Sequence, residues 1–518
     1  MKEKGDGEAL DSVLEIIAYG AWNGGTLVDN LFFENKGMFF KGDIPVNNDS
    51  IEERVGVRTR MAASPGERIG AVALQNLLDT SDIDPSRIKL VIGATNVGED
   101  KYDSGPLITY PFELIRRSCA EPIVMDLYAG CPGFNVATEL VFMLSLAGVL
   151  KAGDISIIVG AENIHRAKTF RPLDTSNIIF GDDSLATALE TKDSAKSEGH
   201  YFGNKKVKLS LKEDFIEGIA RKIFELIGRG RIDGIIIDNQ LGKIQYRIPA
   251  TAARVQHRLV ELMYPEEASK GTFRRFKDAI EFYNRNVNSF AFDIMTIDKE
   301  PSRVEKMASA YVESGNCGVV ASVYLASDLN AELMLHKGES YIFEKPRYGI
   351  VDTLTRTHGC FADYIQCVPE NGDVFGEING KGVFLHATRG AKAHLSELLS
   401  KNNLTLNDLD LLIEHQANFA MIPMMLEKVL GSENQNVKKA VTEYISNKMV
   451  TNIHARGNCS VVCMQRLPYD LHRGVLKEDC IQGYPVNRNL NNLRSAKIIL
   501  NDSVGAGMTR SSILQRRC

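Results

Sequence analysis

The chain reads as an α/β sheet protein. Short runs rich in Ile and Val, such as Lys89 to Gly93 (KLVIG) and Ile155 to Gly160 (ISIIVG), have the length and composition of buried strands. They alternate with longer stretches of helical spacing, such as Glu67 to Leu78, the signature of strands covered by helices. At 518 residues the chain exceeds what one hydrophobic core supports, so two or more packed units are expected.

Taken in order, the strand in LVIGATNVGED is followed by a loop with Gly105, Pro106 and Pro111, and then by a helix. Next comes the apolar run Pro122 to Leu127, leading to Cys131. Strand, tight turn and helix succeed one another there. The helix that begins near Pro132 is apolar nearly all round, hence buried, and Pro132 suits a first helical position, where its missing N–H costs nothing.

The second half contains a repeat. Arg231 to Leu259, with RIDGIIIDNQ and a helical run after it, parallels Asp408 to Leu430, DLDLLIEHQANFAMIPMMLEKVL. Ser314 to Val320 (SGNCGVV) is set against Arg456 to Val462 (RGNCSVV). Repeats are sought before folds are assigned. The chain divides accordingly into an N-terminal half (1–195), a degenerate copy of the C-terminal half (196–358) and the C-terminal half itself (359–518). No linker rich in Pro, Gly or Ser separates the copies, so packed units are expected. Chance recurrence of GNC and of a DxxI strand is the plainer alternative.

Composition narrows the function. Hydrophobic residues make up 44% and charged residues 25%, ordinary for a globular protein. A formal net charge of -5 gives none of the basic field a nucleic-acid binder carries. The first ten residues, MKEKGDGEAL, lack an apolar signal core, and the longest apolar stretch, Leu140 to Leu150, is too short to span a bilayer. A cytoplasmic protein without membrane insertion is expected. Nine cysteines scattered through the chain fit reduced thiols, and Cys459 and Cys463 have only the distant His472 beyond them, so no metal site is expected.

Three polar residues stand out. Cys131, in MDLYAGCPGF, is placed at a helix N-terminus, where unpaired N–H groups and the macrodipole favour a thiolate. His415 leaves the apolar strand Asp410 to Ile413, and Asn458 follows Gly457 where the backbone can turn sharply. Alone, Cys131 reads equally as a core thiol, while His415 reads first as a core imidazole and Asn458 as a turn residue. Together they supply a nucleophile, a base or donor, and a fixed neutral donor, the set that nucleophilic acyl chemistry requires.

Five segments then stand in a specific order: AGCPGF, FGDDSLATALE (Phe180 to Glu190), HQAN, GNCS and VGAGMTRSS (Val504 to Ser512). In this the chain resembles beta-ketoacyl-ACP synthase III and its relatives, over residues of roughly 12 to 195 and 359 to 518. The resemblance implies the five-layered αβαβα thiolase fold, a homodimer and a Cys-His-Asn triad. By the same resemblance Cys131 accepts an acyl group from a thioester of coenzyme A or acyl carrier protein. His415 and Asn458 hold the carbonyl oxygen of a malonyl-type thioester while it loses carbon dioxide. The amides of Cys131 and Ala506 form a second oxyanion hole, and Arg54 and Phe419 lie on the substrate side. No bound cofactor is implied.

The match departs in places. The tryptophan that often stacks on adenine at the tunnel mouth has no counterpart near Ser50, and Trp22 is the only one in the chain. No basic residue follows HQAN, where Phe419, Ala420 and Met421 stand. Asn96 occupies the place of the glutamate base of hydroxymethylglutaryl-CoA synthases, with Glu99 nearby, so decarboxylative condensation is expected over aldol-type addition. In the first C-terminal copy Asn239 replaces His415, which makes that copy catalytically dead, while Asn316 is matched to Asn458. Two other functions fit the same residues: acyl transfer without decarboxylation, and a scaffold partner of another synthase.

Overall fold

The computed structural model describes residues 11–97, 122–193, 201–211, 214–339, 345–431 and 436–518. Glu99 and the loop around it lie outside the described residues.

The first unit contains β1 (Leu14–Ala21), α1 (Ile69–Thr80), β2 (Ile88–Ala94), β3 (Ile123–Tyr128), α2 (Gly133–Leu146), β4 (Ile155–Glu162) and β5 (Asp183–Thr191). The second contains β6 (Tyr201–Ser210), α3 (Phe215–Ile227), β7 (Gly234–Asn239), α4 (Thr251–Met263), β8 (Phe290–Thr296), α5 (Pro301–Glu313), β9 (Val319–Ser327) and β10 (Asn330–Gly338). The last contains β11 (Gly349–Thr357), α6 (Gly380–Lys401), β12 (Leu411–Glu414), α7 (Met421–Leu430), α8 (Cys463–Arg473), β13 (Ile498–Gly505) and β14 (Thr509–Arg516).

The first two units share one 10-stranded sheet, β1-β5-β4-β2-β3-β8-β7-β9-β10-β6. Counted within each unit, both halves of that sheet run third, second, fourth, fifth, first. The second, third and fourth strands are parallel, and the fifth is antiparallel to its neighbours. The last unit repeats the pattern in a separate 4-stranded sheet, β11-β14-β13-β12, with Met449 bridging to Leu412 of β12 where a third strand belongs. All three units are therefore copies of one half-fold.

Two corrections to the sequence-based division follow. β11 pairs antiparallel with β14, so the last unit begins ahead of Gly349, not at residue 359. SGNCGVV runs from the end of α5 into β9, whereas RGNCSVV leads from the third-strand position into α8. Asn316 and Asn458 thus stand at opposite ends of corresponding helices and are not counterparts. The other pairing is supported by position: Asn239 and His415 both end the second strand of their units.

Between the sheets lie α2, α5 and α8, and α2 is buried along its whole length, as its apolar composition requires. One core cluster draws on all three units, joining Phe142 of α2, Tyr311 of α5 and Leu467 of α8. A polar tie crosses it. Glu139 of α2 accepts hydrogen bonds from Tyr311 (3.4 Å) and from Thr355 of β11 (2.8 Å), and burial pushes its carboxyl up to about 6. Among the described residues no helix is long and apolar enough to cross a membrane.

Candidate active site

The turn from β3 to α2 brings Cys131 to the N-terminal end of that buried helix, with its side chain half-buried. Gly130 makes the turn possible at φ +69, and it lies against the turn after β13: a Cβ there would stand 2.4 Å from the Ala506 nitrogen. A Cβ on Gly505 would in return stand 2.4 Å from the Cys131 nitrogen. Two glycines thus let the amides of Cys131 and Ala506 approach each other. Among the described residues neither N–H is used by a turn or cap, and the pair expected from the sequence lies side by side.

His415 ends β12 and is 4% exposed, its amide donating to the Asp502 carbonyl at 3.0 Å. Neither ring nitrogen has a hydrogen-bond partner among the described residues, an uncommon state for a buried imidazole unless a ligand completes it. Burial opposes the imidazolium, yet the sulfurs of Cys131 and Cys463 beside the ring outweigh it and raise its pKa well above the ordinary histidine value. Burial also raises thiols, but contact with Cys459 and His415 brings Cys463 down to about 5.

Asn458 is held from both sides. Its amide donates to the Ile179 carbonyl at 2.8 Å, and its carbonyl accepts from Gly181 at 3.1 Å, so the FGDD segment grips the GNCS segment. Its Oδ1 accepts from the Ser460 amide at 2.7 Å, while Nδ2 makes no hydrogen bond among the described residues. That leaves the NH2 group to donate to a substrate. Asp183, next in the FGDD segment, faces Arg456 and Arg466 at 3.5 and 3.6 Å and fixes the same junction by charge.

Sequence reasoning missed a relay behind the thiol. Ser460 Oγ donates towards Cys131 Sγ at 3.5 Å and accepts from Asn96 Nδ2 at 3.0 Å. Asn96 Nδ2 also donates to Glu162 Oε1 at 2.7 Å, and the amides of Asn96 and Val97 each donate to that carboxylate at 3.0 Å. Burial nevertheless pushes Glu162 up to about 8. The end of the fourth strand carries no motif that would mark Glu162 in advance.

Cys131, His415, Asn458 and Ala506 all line one apolar cavity of about 210 Å³. Met421 lines it too, whereas Met425 turns into the core and Met424 to the surface. Phe419 does not line it. The segment ahead of α7 turns that ring into the core, where a Cβ on Gly56 would lie 2.7 Å from its own Cβ. Arg54 is not on the cavity wall either; its guanidinium lies over the Phe40 ring at 5.4 Å. Trp22 is buried, donating to Glu67 at 2.7 Å. Every described cysteine is a free thiol, and no group of three or more His, Cys, Asp or Glu among the described residues could hold a metal ion.

The layered fold is that of the thiolase-type synthases, with one half-unit more than two. No family model matches the chain. A beta-ketoacyl-[acyl-carrier-protein] synthase III of Brucella melitensis is 28% identical over 168 residues, 32% of this chain and 48% of that protein. The chain thus spans about half the length of this relative. Among solved structures, beta-ketoacyl-[acyl carrier protein] synthase III of Thermus thermophilus aligns with a TM-score of 0.51 at 16% identity, covering 97% of this chain and 99% of that one. The priming beta-ketosynthase of a polyketide biosynthetic pathway aligns equally, with a TM-score of 0.51 at 14% identity, covering 99% and 98%. The chain is therefore similar to a beta-ketoacyl-[acyl-carrier-protein] synthase III over about a third of its length and shares the fold of the solved synthases, with an additional half-unit.

Proposed function

We propose that the chain is an acyl-thioester condensing enzyme. The observation that carries this is the convergence of the Cys131 thiol, the bare His415 ring nitrogens and the free Asn458 Nδ2 on one apolar cavity. In the first half-reaction Cys131 attacks the carbonyl of an acyl thioester of coenzyme A or acyl carrier protein. The oxyanion lies on the Cys131 and Ala506 amides, and the donor thiol leaves with the proton that the Cys131 thiol gives up.

In the second, a malonyl-type thioester places its carbonyl oxygen on His415 and Asn458 and releases carbon dioxide. The enolate carbon then attacks the acyl carbon, forming the new C–C bond and freeing the Cys131 thiolate. The raised pKa of His415 suits this sequence of events. The Cys131 sulfur beside the ring is part of what raises it, and once that sulfur is a thioester the ring meets the second substrate as a neutral donor.

The second unit has no such site in this reading. Asn239 spends its Nδ2 on Asp293 (2.9 Å) and Thr251 (3.0 Å), and Ile297 to Glu300, between β8 and α5, contains no cysteine.

Intact mass after incubation with a panel of acyl thioesters tests the proposal. An adduct that is lost in Cys131→Ala is expected, together with carbon dioxide release from malonyl thioester. An adduct without that release would leave acyl transfer to another acceptor. No adduct with any donor would leave the scaffold reading.

A further inference from the structure

The segment RGNCSVVC carries two thiols that the proposed chemistry does not use. Cys459 and Cys463 flank the short helical turn Ser460–Val462, Cys463 opens α8, and both are buried. Their sulfurs are hydrogen-bonding neighbours, so the two side chains already converge, as a bridge between them requires. Cys459 Sγ also donates towards the Arg456 carbonyl at 3.5 Å. Cys463 Sγ lies 3.8 Å from Asn458 Oδ1 and against the His415 ring. The pair thus abuts both donors to the malonyl oxygen. Those donors and Ser460 line the cavity, which gives a small oxidant its way in.

The two thiols are unequal. The Cys463 sulfur and burial hold Cys459 well above the ordinary thiol value, whereas Cys463, at about 5, is a thiolate near neutrality. A thiolate beside a protonated thiol is the pairing that disulfide formation uses. From this we infer that Cys459 and Cys463 are a modification site for hydroperoxides, forming a reversible disulfide that switches the neighbouring His415 and Asn458. The Cys463 sulfur attacks one oxygen of hydrogen peroxide, and the O–O bond breaks. Hydroxide leaves and becomes water with the proton the Cys463 thiol has given up. Cys459 then attacks the sulfur of the resulting sulfenic acid, the S–O bond breaks, and the oxygen departs as a second water with the Cys459 proton. Two thiols lose two electrons and two hydrogens, and the peroxide is reduced to water. The bond ties the Cys463 sulfur to Cys459 and away from His415 and Asn458. Its effect on the site rests on the condensing-enzyme reading above, while its formation does not.

Formation of the bond is tested in Cys131→Ala, where the nucleophile cannot be oxidised; wild type shielded by an acyl group on Cys131 serves equally if that variant does not fold. Trypsin releases both cysteines in one peptide, Gly457 to Arg466 (GNCSVVCMQR). After hydrogen peroxide this peptide is expected to be two hydrogens lighter and to take no alkylating label, and a phosphine reductant should restore two labelled thiols. In Cys459→Ser, Cys463 should gain oxygen instead. Two labelled thiols after a peroxide dose that oxidises Cys131 in the wild type would overturn the inference. The effect is read in the acyl-loaded wild type. Oxidation is expected to slow carbon dioxide release from malonyl thioester by about tenfold, because displaced donors lose much of their worth, and phosphine should restore it. A bond that leaves release unchanged would overturn the switch. A wild type that loads from no donor, while Cys131→Ala still forms the bond, would overturn the condensing reading alone.

Discussion

Ser460 Oγ lies 3.5 Å from Cys131 Sγ, donating towards the sulfur from a backbone held at φ +48. A left-handed serine is costly unless something fixes it, and here the Asn458 carboxamide accepts its amide while Asn96 donates to its hydroxyl. Loss of the hydroxyl is therefore expected to slow acylation of Cys131 by a factor of roughly three to ten, the worth of one hydrogen bond. Ser460→Ala and Ser460→Gly should slow equally, but the glycine variant should melt higher, because glycine occupies that φ without strain. Acylation rates at fixed pH beside melting curves check this; equal rates in wild type and both variants would contradict it.

His415 and Asn458 are expected to separate the two half-reactions. Each offers a donor to the malonyl oxygen, and neither is needed as the nucleophile. His415→Ala and Asn458→Ala should still give an acyl adduct on Cys131 yet lose carbon dioxide release by about two to three orders of magnitude each, the usual effect of deleting one oxyanion donor. Parallel measurement of adduct mass and carbon dioxide decides it. Unchanged decarboxylation in either variant would remove that residue from the proposed chemistry.

How much of this was legible in advance follows from the range of each signal. Cys131 lies between Gly130 and Pro132, His415 directly follows a strand and Asn458 follows Gly457, and such patterns are local, so the sequence places them well. Their second partners are not local. Glu162 meets Asn96 across 66 residues and Ser460 meets Cys131 across 329, distances over which no periodicity speaks. Phe419 misled because it directly follows HQAN, yet the chain there turns the ring onto Gly56. Likewise GNC recurs in Asn316 and Asn458, while only the strand order reveals that one precedes a strand and the other a helix. The boundary at 358 was misplaced for a similar reason: β11 belongs to the last sheet only through β14, at the far end of the chain.

Glu162 predicts a pH dependence. Burial raises its pKa from 4.5 to about 8, so between those values the folded chain holds a proton that the unfolded chain has released. Stability from this group is fully present below the unfolded value and falls as pH rises towards the folded one, by up to about 1.4 kcal/mol per pH unit. Glu162→Gln removes the charge and keeps one acceptor oxygen, for one of the Asn96 and Val97 amides. Its melting temperature is expected to decline less between pH 5 and 8 than that of the wild type, and a decline of equal slope would contradict the assignment.

The ends of the second unit lie close together, and this makes its role open to a direct test. Lys192 donates its amide to the Val13 carbonyl at 2.9 Å, and Tyr348 donates to Asp11 at 2.8 Å, so the chain leaves and re-enters beside β1. Residues 194–344 are thus excisable with a short linker across the gap. Excision would uncover the β3 edge, now paired with β8, and an unpaired edge of this kind seeks another strand. The intact chain is expected to sediment at the mass of one copy, 57.3 kDa. The excised chain is expected to pair with a second copy or to aggregate. A soluble excised monomer with unchanged activity would show the second unit to be dispensable.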